Sequence, residues 1–358
     1  MSRRLSEQVV VVTGASSGIG RTTARMFADS GAVVVATARS EADLQTLVDE
    51  IARTGGSALP VPGDVTSSAD MHTVAATAVD RFGRLDTWVG GAATSVYGRA
   101  WDIPLEEYDE VMRTNWLGQV TGALAALPHL RAAGGTLICI GSVASARALP
   151  LQAPYTSSKM ALRGFCDTLR MELDAEQAGV AVTLIMPASV GTPFFEHSRS
   201  HLEGAPKPLP PVYSPESVAK VIVRAAEHPR RQIVVGGAGF GLLLGQGLAP
   251  RVTDRIMSMR KGFLRLQQAD EAASATDTLE GPVVGSGTER GGHAGRPSLS
   301  AAVTTARPIV KRAVGIGATA AGAVASRLAG RGEDRPEGGP TGREEEPPAD
   351  AGDERPAG

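Results

Sequence analysis

The stretch "VVVVTGASSGIG", residues 9–20, decides the fold of this chain. Four valines and a threonine are β-branched, and β-branched residues suit a pleated strand. Val9–Val12 is apolar at every position rather than at alternate ones, as expected of a strand covered on both faces. Glycines follow at 14, 18 and 20. Gly14 permits a tight turn out of the strand. Gly18 and Gly20 bring bare backbone close to the start of a helix predicted from Gly18 to about Ser30. The first N–H groups of a helix lack intrahelical partners, so a phosphate can bind there. A plain strand-to-helix turn is the alternative. The position at the opening of a βαβ unit favours dinucleotide binding, through Gly14, Ser16, Ser17, Gly18, Ile19 and Gly20.

The same alternation runs on. "AVVVAT" (32–37), "ALPVPGDV" (58–65), "LDTWVGG" (85–91), "GTLICIGS" (135–142), "VAVTLIMP" (180–187) and "QIVVGG" (232–237) read as strands, the second of these six carrying a loop. Helical patterns separate them at about 41–54, 69–82, 105–133, 152–177 and 216–227. Strand and helix in alternation predict an α/β fold: a doubly wound parallel sheet with helices on both faces, of Rossmann type, over residues 1–236.

The end of the second strand bears on which dinucleotide binds. A carboxylate there would bond the adenosine ribose and repel a 2′-phosphate. The chain has Ala38 and Arg39 instead, which favours NADP over NAD. Arg39 as a solvated loop cation is the plainer alternative. Asp64, in "PGDV", reads equally as a partner for the adenine amino group or as a turn and capping residue.

Lys159 is the only lysine before Lys207, in a chain that otherwise uses arginine. It stands four residues after Tyr155, so the two share one helix face. Ser142 closes the preceding strand, and ligands of parallel sheets bind at the carboxyl ends of strands. A phenol titrates near 10 (about), too high for a base near neutrality. A nearby ammonium and a positive nicotinamide ring are expected to lower it. A compact ammonium reaches a ribose hydroxyl and the phenol together, where a planar guanidinium would not fit.

"TGASSGIG", Ser142 and "YTSSK" in this order resemble the short-chain dehydrogenase/reductase family, in its short form, over residues 8 to about 236. The resemblance implies that Tyr155 is the general acid in ketone reduction and the base in alcohol oxidation. It implies that Ser142 polarises the substrate oxygen and that Lys159 bonds the nicotinamide ribose. Asn115, in "RTNWLG", matches the asparagine that holds a water of the proton relay. "MPASVGTPF" (186–194) looks like the loop that meets the carboxamide through the Val190 backbone and the Thr192 hydroxyl. Val65 and Ala92 join the cofactor site on the same footing. Two departures stand out: Gly90-Gly91-Ala92-Ala93 replaces the usual Asn-Asn-Ala-Gly, and Ala188 replaces a glycine. The first removes side chains that would brace the sheet and the ribose pocket. Members commonly pair through the helices here at 105–133 and 152–177, which implies a homodimer or homotetramer.

The substrate cap is expected from about Phe194 to Val212. With Tyr97, Leu149 and Leu151 it suggests an apolar cleft and a lipophilic carbonyl or alcohol substrate. His197 and His201 are four apart, but a proline-rich cap without suitable carboxylates speaks against metal, and none is expected. A net charge of -2 gives no sign of nucleic-acid binding. Two cysteines, Cys139 and Cys166, fit neither a disulfide framework nor a zinc pattern and suggest a reducing cytoplasm. No apolar run approaches the ~20 residues of a membrane span.

After Gly237 the pattern changes. Val252, Ile256, Met259, Phe263 and Leu266 have helical spacing over 237–268. A helix covering an edge of the core is the first reading; a dimer contact or a membrane-surface helix are the others. Residues 269–300 read as linker and 331–358 as disordered tail, with the composition of a short Ala/Gly-rich helix at 308–328. Membrane contact through 240–330 is the lesser reading. A non-catalytic NADP(H) sensor acting through this tail is the alternative to an enzyme.

Overall fold

The valine run forms β1 (Val9–Thr13), and all five of its residues are buried. It pairs in parallel with β2 (Val33–Thr37) on one side and β4 (Thr87–Gly90) on the other. The computed structural model describes residues 3–274, 276–285 and 287–298, without the side chains of Arg260 and Lys261. These lie in one unit, Met1–Ala306; a second, Arg307–Gly358, falls outside the described residues. So do the stretches 308–328 and 331–358.

Seven parallel strands form the sheet in the order β3-β2-β1-β4-β6-β7-β9, with β3 Ser57–Pro60, β6 Thr136–Ile140, β7 Ala181–Pro187 and β9 Gln232–Val235. Alternate valines of β1 serve opposite faces. Val10 and Val12 pack with Phe27 of α1 (Gly18–Asp29), Leu44 of α2 (Glu41–Arg53) and Ile222 of α7 (Pro215–Glu227). Val9 and Val11 pack with Val74 of α3 (Ser68–Phe82), Leu130 of α5 (Gly118–Ala133) and Leu162 of α6 (Ala153–Ala175). Each fully buried valine contributes roughly 2 kcal/mol, so the unbroken apolar run stabilises both layers. Chain order reverses between β1 and β4, and this opens a crevice at their carboxyl ends.

Local chemistry sets the element ends. Ser40 and Ser67 cap α2 and α3 by accepting from Asp43 N and Asp70 N. Gly83 and Gly134 end α3 and α5 in the left-handed region, at φ 76° and 63°. The long helix expected at 105–133 is interrupted: α4 (Leu105–Met112) and α5 flank a π-turn over Arg113–Leu117. A short parallel pair, β5 (Val96–Tyr97) with β8 (Arg199–Ser200), fastens the cap region to the loop after β4.

Two expectations for the C-terminal part are corrected. The extension forms α8 (Gly237–Leu248) and α9 (Pro250–Met257), but its apolar stripe does not cover the core. Val252, Ile256 and Met259 are 58%, 56% and 57% exposed; Met257 is buried instead. Arg147 tethers this pair through Gln246 and Asp254. The second correction concerns 269–300, read as a linker. Residues 276–285 and 287–298 instead run back over the sheet's carboxyl end, with Leu279 buried against Val96, Ile103 and Val111. Among the described residues no helix is long and apolar enough to cross a membrane.

Candidate active site

The crevice between β1 and β4 opens into a cavity of about 380 Å³. Its floor is the glycine turn. A Cβ on Gly20 would stand 2.0 Å from Gly14 O, and one on Gly14 would meet Ala92 N at 2.8 Å. Gly14 and Gly18 also hold φ values of 67° and 53°, which side-chain-bearing residues rarely adopt. Gly14 and Gly20 are thus required first by neighbouring backbone, and Gly18 by its positive φ. Thr13 Oγ1 accepts from Gly91 N at 2.9 Å and ties this turn to the one after β4. Arg21, buried at 1% exposure, braces the turn from behind. Its guanidinium donates to Ser16 O and Asp43 O and pairs with Glu50 at 2.8 Å.

All of the residues expected to hold the cofactor line this cavity: Gly14, Ser16 to Gly20, Arg39, Asp64, Val65, Ala92, Val190 and Thr192. Their chemistry fits a dinucleotide. Bare backbone stands at the N-terminus of α1, and a cation stands at the end of β2. Arg39 is not merely solvated: its Nη2 donates to Thr278 O at 2.8 Å and Gly281 O at 3.0 Å. Asp64 does serve as a turn residue, since its Oδ1 accepts from Thr66 N at 2.8 Å and Thr66 Oγ1 at 2.9 Å.

Ser142, Tyr155 and Lys159 meet at the inner end of the same cavity. Ser142 leaves β6 in extended backbone and caps a short 3-10 turn, accepting from Ala144 N at 3.1 Å. The Ser142 hydroxyl acts on the Tyr155 phenol in the direction of a lower pKa. Lys159 is 2% exposed, with Nζ 5.6 Å from the Tyr155 ring centroid and donating to Ile140 O at 3.0 Å. The expected acidification of Tyr155 by this cation is not what the protein alone achieves. Burial dominates both groups: it lifts Tyr155 to about 12 and depresses Lys159 to about 8. The phenol keeps some surface in the cleft, yet the walls around it exclude most water, and loss of hydration disfavours either charge.

Asn115 is fully buried in the π-turn and clamps the loop after β4. Its Oδ1 accepts from Thr94 N at 2.8 Å, and its Nδ2 donates to Thr94 O at 2.9 Å and Ser158 Oγ at 3.0 Å. A π-turn carries one extra residue per turn, which aims this side chain inward without bending the helix away.

Sequence reasoning missed Gln119. It lies on the same inward face, four residues after Asn115, and that spacing was the available signal. Its Nε2 donates to Ile140 O at 3.2 Å, the carbonyl that also receives Lys159. A Cβ on Gly90 would stand 2.6 Å from Gln119 Oε1. Gln119 therefore fills space made by Gly90, where a brace was thought to be lost.

Tyr97, Leu149, Phe194, Phe195 and Leu209 give the cavity an apolar stretch of lining, with Leu242 and Phe263 added by the extension. Leu151 is a correction: it is not among the lining residues and instead sits in a turn at φ 66°. Phe194 packs on Tyr155 with ring centroids 5.6 Å apart. His197 lines the cavity with its pKa lowered by burial, while His201 bonds Glu107 at 2.7 Å, so the two serve separate contacts. Cys139 and Cys166 are free and buried.

This sheet, glycine turn and Ser-Tyr-Lys group define an oxidoreductase that interconverts CH–OH and C=O groups. The chain belongs to the short-chain dehydrogenase family, whose family model matches residues 8–203. It is 41% identical over 324 residues to the uncharacterized oxidoreductase YxnA of Bacillus subtilis (strain 168), covering 89% of this chain and 90% of that one. It is 34% identical over 256 residues to L-fucose dehydrogenase of Mus musculus, covering 66% and 90%. Among solved structures it resembles an alcohol dehydrogenase from the archaeon Thermococcus sibiricus complexed with 5-hydroxy-NADP, at 26% identity and TM-score 0.57, over 64% of this chain and 95% of that one. The fold is also that of a Burkholderia phymatum short-chain dehydrogenase/reductase in complex with NAD, at 23% identity and TM-score 0.64, over 70% and 96%.

Proposed function

We propose that this protein reduces a lipophilic ketone or aldehyde, or oxidises the matching alcohol, with NADP(H) preferred to NAD(H). The observation that carries the reading is the convergence of Ser142, Tyr155 and Lys159 on one cavity with the glycine turn and Arg39. The Thermococcus sibiricus neighbour's NADP analogue supports the same preference. When bound, the nicotinamide supplies or accepts the hydride, and its oxidised ring adds a positive charge to the site. In reduction the Ser142 hydroxyl would donate to the substrate oxygen and the Tyr155 hydroxyl would give that oxygen its proton. In oxidation Tyr155, as phenolate, would take the alcohol proton. Lys159 Nζ, held at Ile140 O beside the Tyr155 ring, would hold the nicotinamide ribose, and its charge would oppose the effect of burial on the phenol. Asn115 supports the relay by fixing Thr94 and Ser158. Leu149, Phe194, Leu209 and Phe263 would receive the apolar body of the substrate.

Exposed Leu117 of the π-turn, Leu124 of α5 and Met171 of α6 support pairing of copies through these helices. The two buried thiols fit a reducing cytoplasm. Fluorescence titration with NADPH and NADH, followed by turnover on a panel of carbonyl compounds, tests the proposal. Tyr155→Phe is expected to lose at least about a thousandfold in kcat while binding NADPH as the parent does. Undiminished turnover would overturn the assignment, and tighter NADH binding would overturn the role of Arg39.

A further inference from the structure

We propose that the C-terminal strap, residues 276–285 and 287–298, is a working wall of the dinucleotide site: it closes the adenosine half of the cleft and holds Arg39 for a 2′-phosphate. This rests on the cofactor reading above. Thr278, Pro282 and Val283 line the same cavity as the glycine turn and Arg39, so a dinucleotide there lies beneath the strap. The strap meets the cleft at three successive points. Thr278 N donates to His197 O at 3.0 Å and its hydroxyl lies 3.2 Å from that of Thr94, which bridges the two rims. The carbonyls of Thr278 and Gly281 both accept from Arg39 Nη2, so the strap fixes one arm of the guanidinium fork. Thr288 O accepts from Gly18 N at 2.9 Å, which seats the strap on the first turn of α1.

Fixing a guanidinium beforehand reduces the ordering cost of binding, and a phosphate gains from this where a bare ribose does not. The anchors that keep the strap down are peripheral and mostly ionic. Arg25 grips Glu289 with two hydrogen bonds, at 2.7 and 3.1 Å. Arg199 holds Asp277 at 2.8 Å and Glu280 at 2.9 Å. Arg290 pairs with Glu216, and Arg296 joins the backbone of Val212 and Ser214. A strap held by partly exposed charge pairs opens more readily in salt, since screening weakens them. Cofactor release therefore requires the strap to lift. The YxnA match, covering 89% of this chain, is too long to leave out this segment.

The test uses the full chain loaded with NADPH and chased with excess NADP, release being followed by stopped-flow fluorescence. Asp277→Asn combined with Glu289→Gln removes two anchors without touching a cavity-lining side chain, and an unchanged melting temperature checks the fold. NADPH release is expected to quicken about tenfold, and the affinity ratio of NADPH to NADH to shrink several-fold, as Arg39 loses its hold. Release from the parent protein is expected to accelerate between about 50 and about 500 mM KCl, and release from the variant to respond less. Equal release rates, or tighter NADPH binding by the variant, would overturn the proposal. A parent protein that binds neither NADPH nor NADH would overturn the functional reading instead.

Discussion

Lys159 shows how a single residue's role depends on its surroundings. The sequence singles it out by rarity and by its spacing from Tyr155, but burial lowers its pKa from 10.5 to about 8. A cation whose folded pKa lies below its unfolded value destabilises the fold while protonated. Between about pH 8 and 10.5 the unfolded chain holds the extra proton, so stability rises with pH across that window. The penalty below it is on the order of 3 kcal/mol. Lys159→Met is therefore expected to raise the melting temperature of the protein alone near pH 7 and to flatten its rise toward pH 10, while turnover falls. A parent-like pH profile in the variant would count against the buried ammonium. Gly90 and Gln119 form a second residue-scale case. Gly90→Ala places a methyl group 2.6 Å from the end of the Gln119 side chain. Alone it is expected to cost about 1–2 kcal/mol; combined with Gln119→Ala much of that cost should vanish, giving a coupling of about 1 kcal/mol in a double-mutant cycle read by denaturant unfolding. Simple additivity would show that Gln119 does not fill this space.

At the scale of elements, the glycine turn joins β1 to α1 by backbone contact. Any side chain at position 20 meets Gly14 O at 2.0 Å, which no flexible neighbour can relieve. Gly20→Ala is expected to destabilise the protein by more than about 3 kcal/mol and to abolish NADPH binding, measured by thermal unfolding and fluorescence titration. The π-turn between α4 and α5 illustrates the opposite case. Periodicity over 105–133 announces a helix, but one residue added to a single turn leaves the apolar spacing nearly intact. Its purpose becomes visible only when Asn115 is found bonded to Thr94 and Ser158. The α8–α9 pair also defeats periodicity: an amphipathic pattern states that one face is apolar, not that the core receives it. Phe240, Leu248 and Ile256 remain 63%, 77% and 56% exposed.

For the whole molecule, the sheet, its strands along the chain and its site-bearing carboxyl edge were legible because most strands are apolar runs and helices connect them. These are local signals, repeated seven times along the chain. The strap had no such signal. Its residues are mostly small or polar, it forms no regular element, and its binding depends on partners such as Arg25 and Arg39 some 240 to 264 positions away. By itself the sequence determined the βαβ architecture, the glycine turn and the Ser142-Tyr155-Lys159 set, because backbone sterics and side-chain period act between near neighbours. Only the tertiary structure decided that Gln119 occupies the room above Gly90, that burial outweighs charge at Tyr155 and Lys159, and that the strap crosses the cleft. Desolvation, filled volume and distant ion pairs come into being when the chain closes on itself, so no stretch of it encodes them alone.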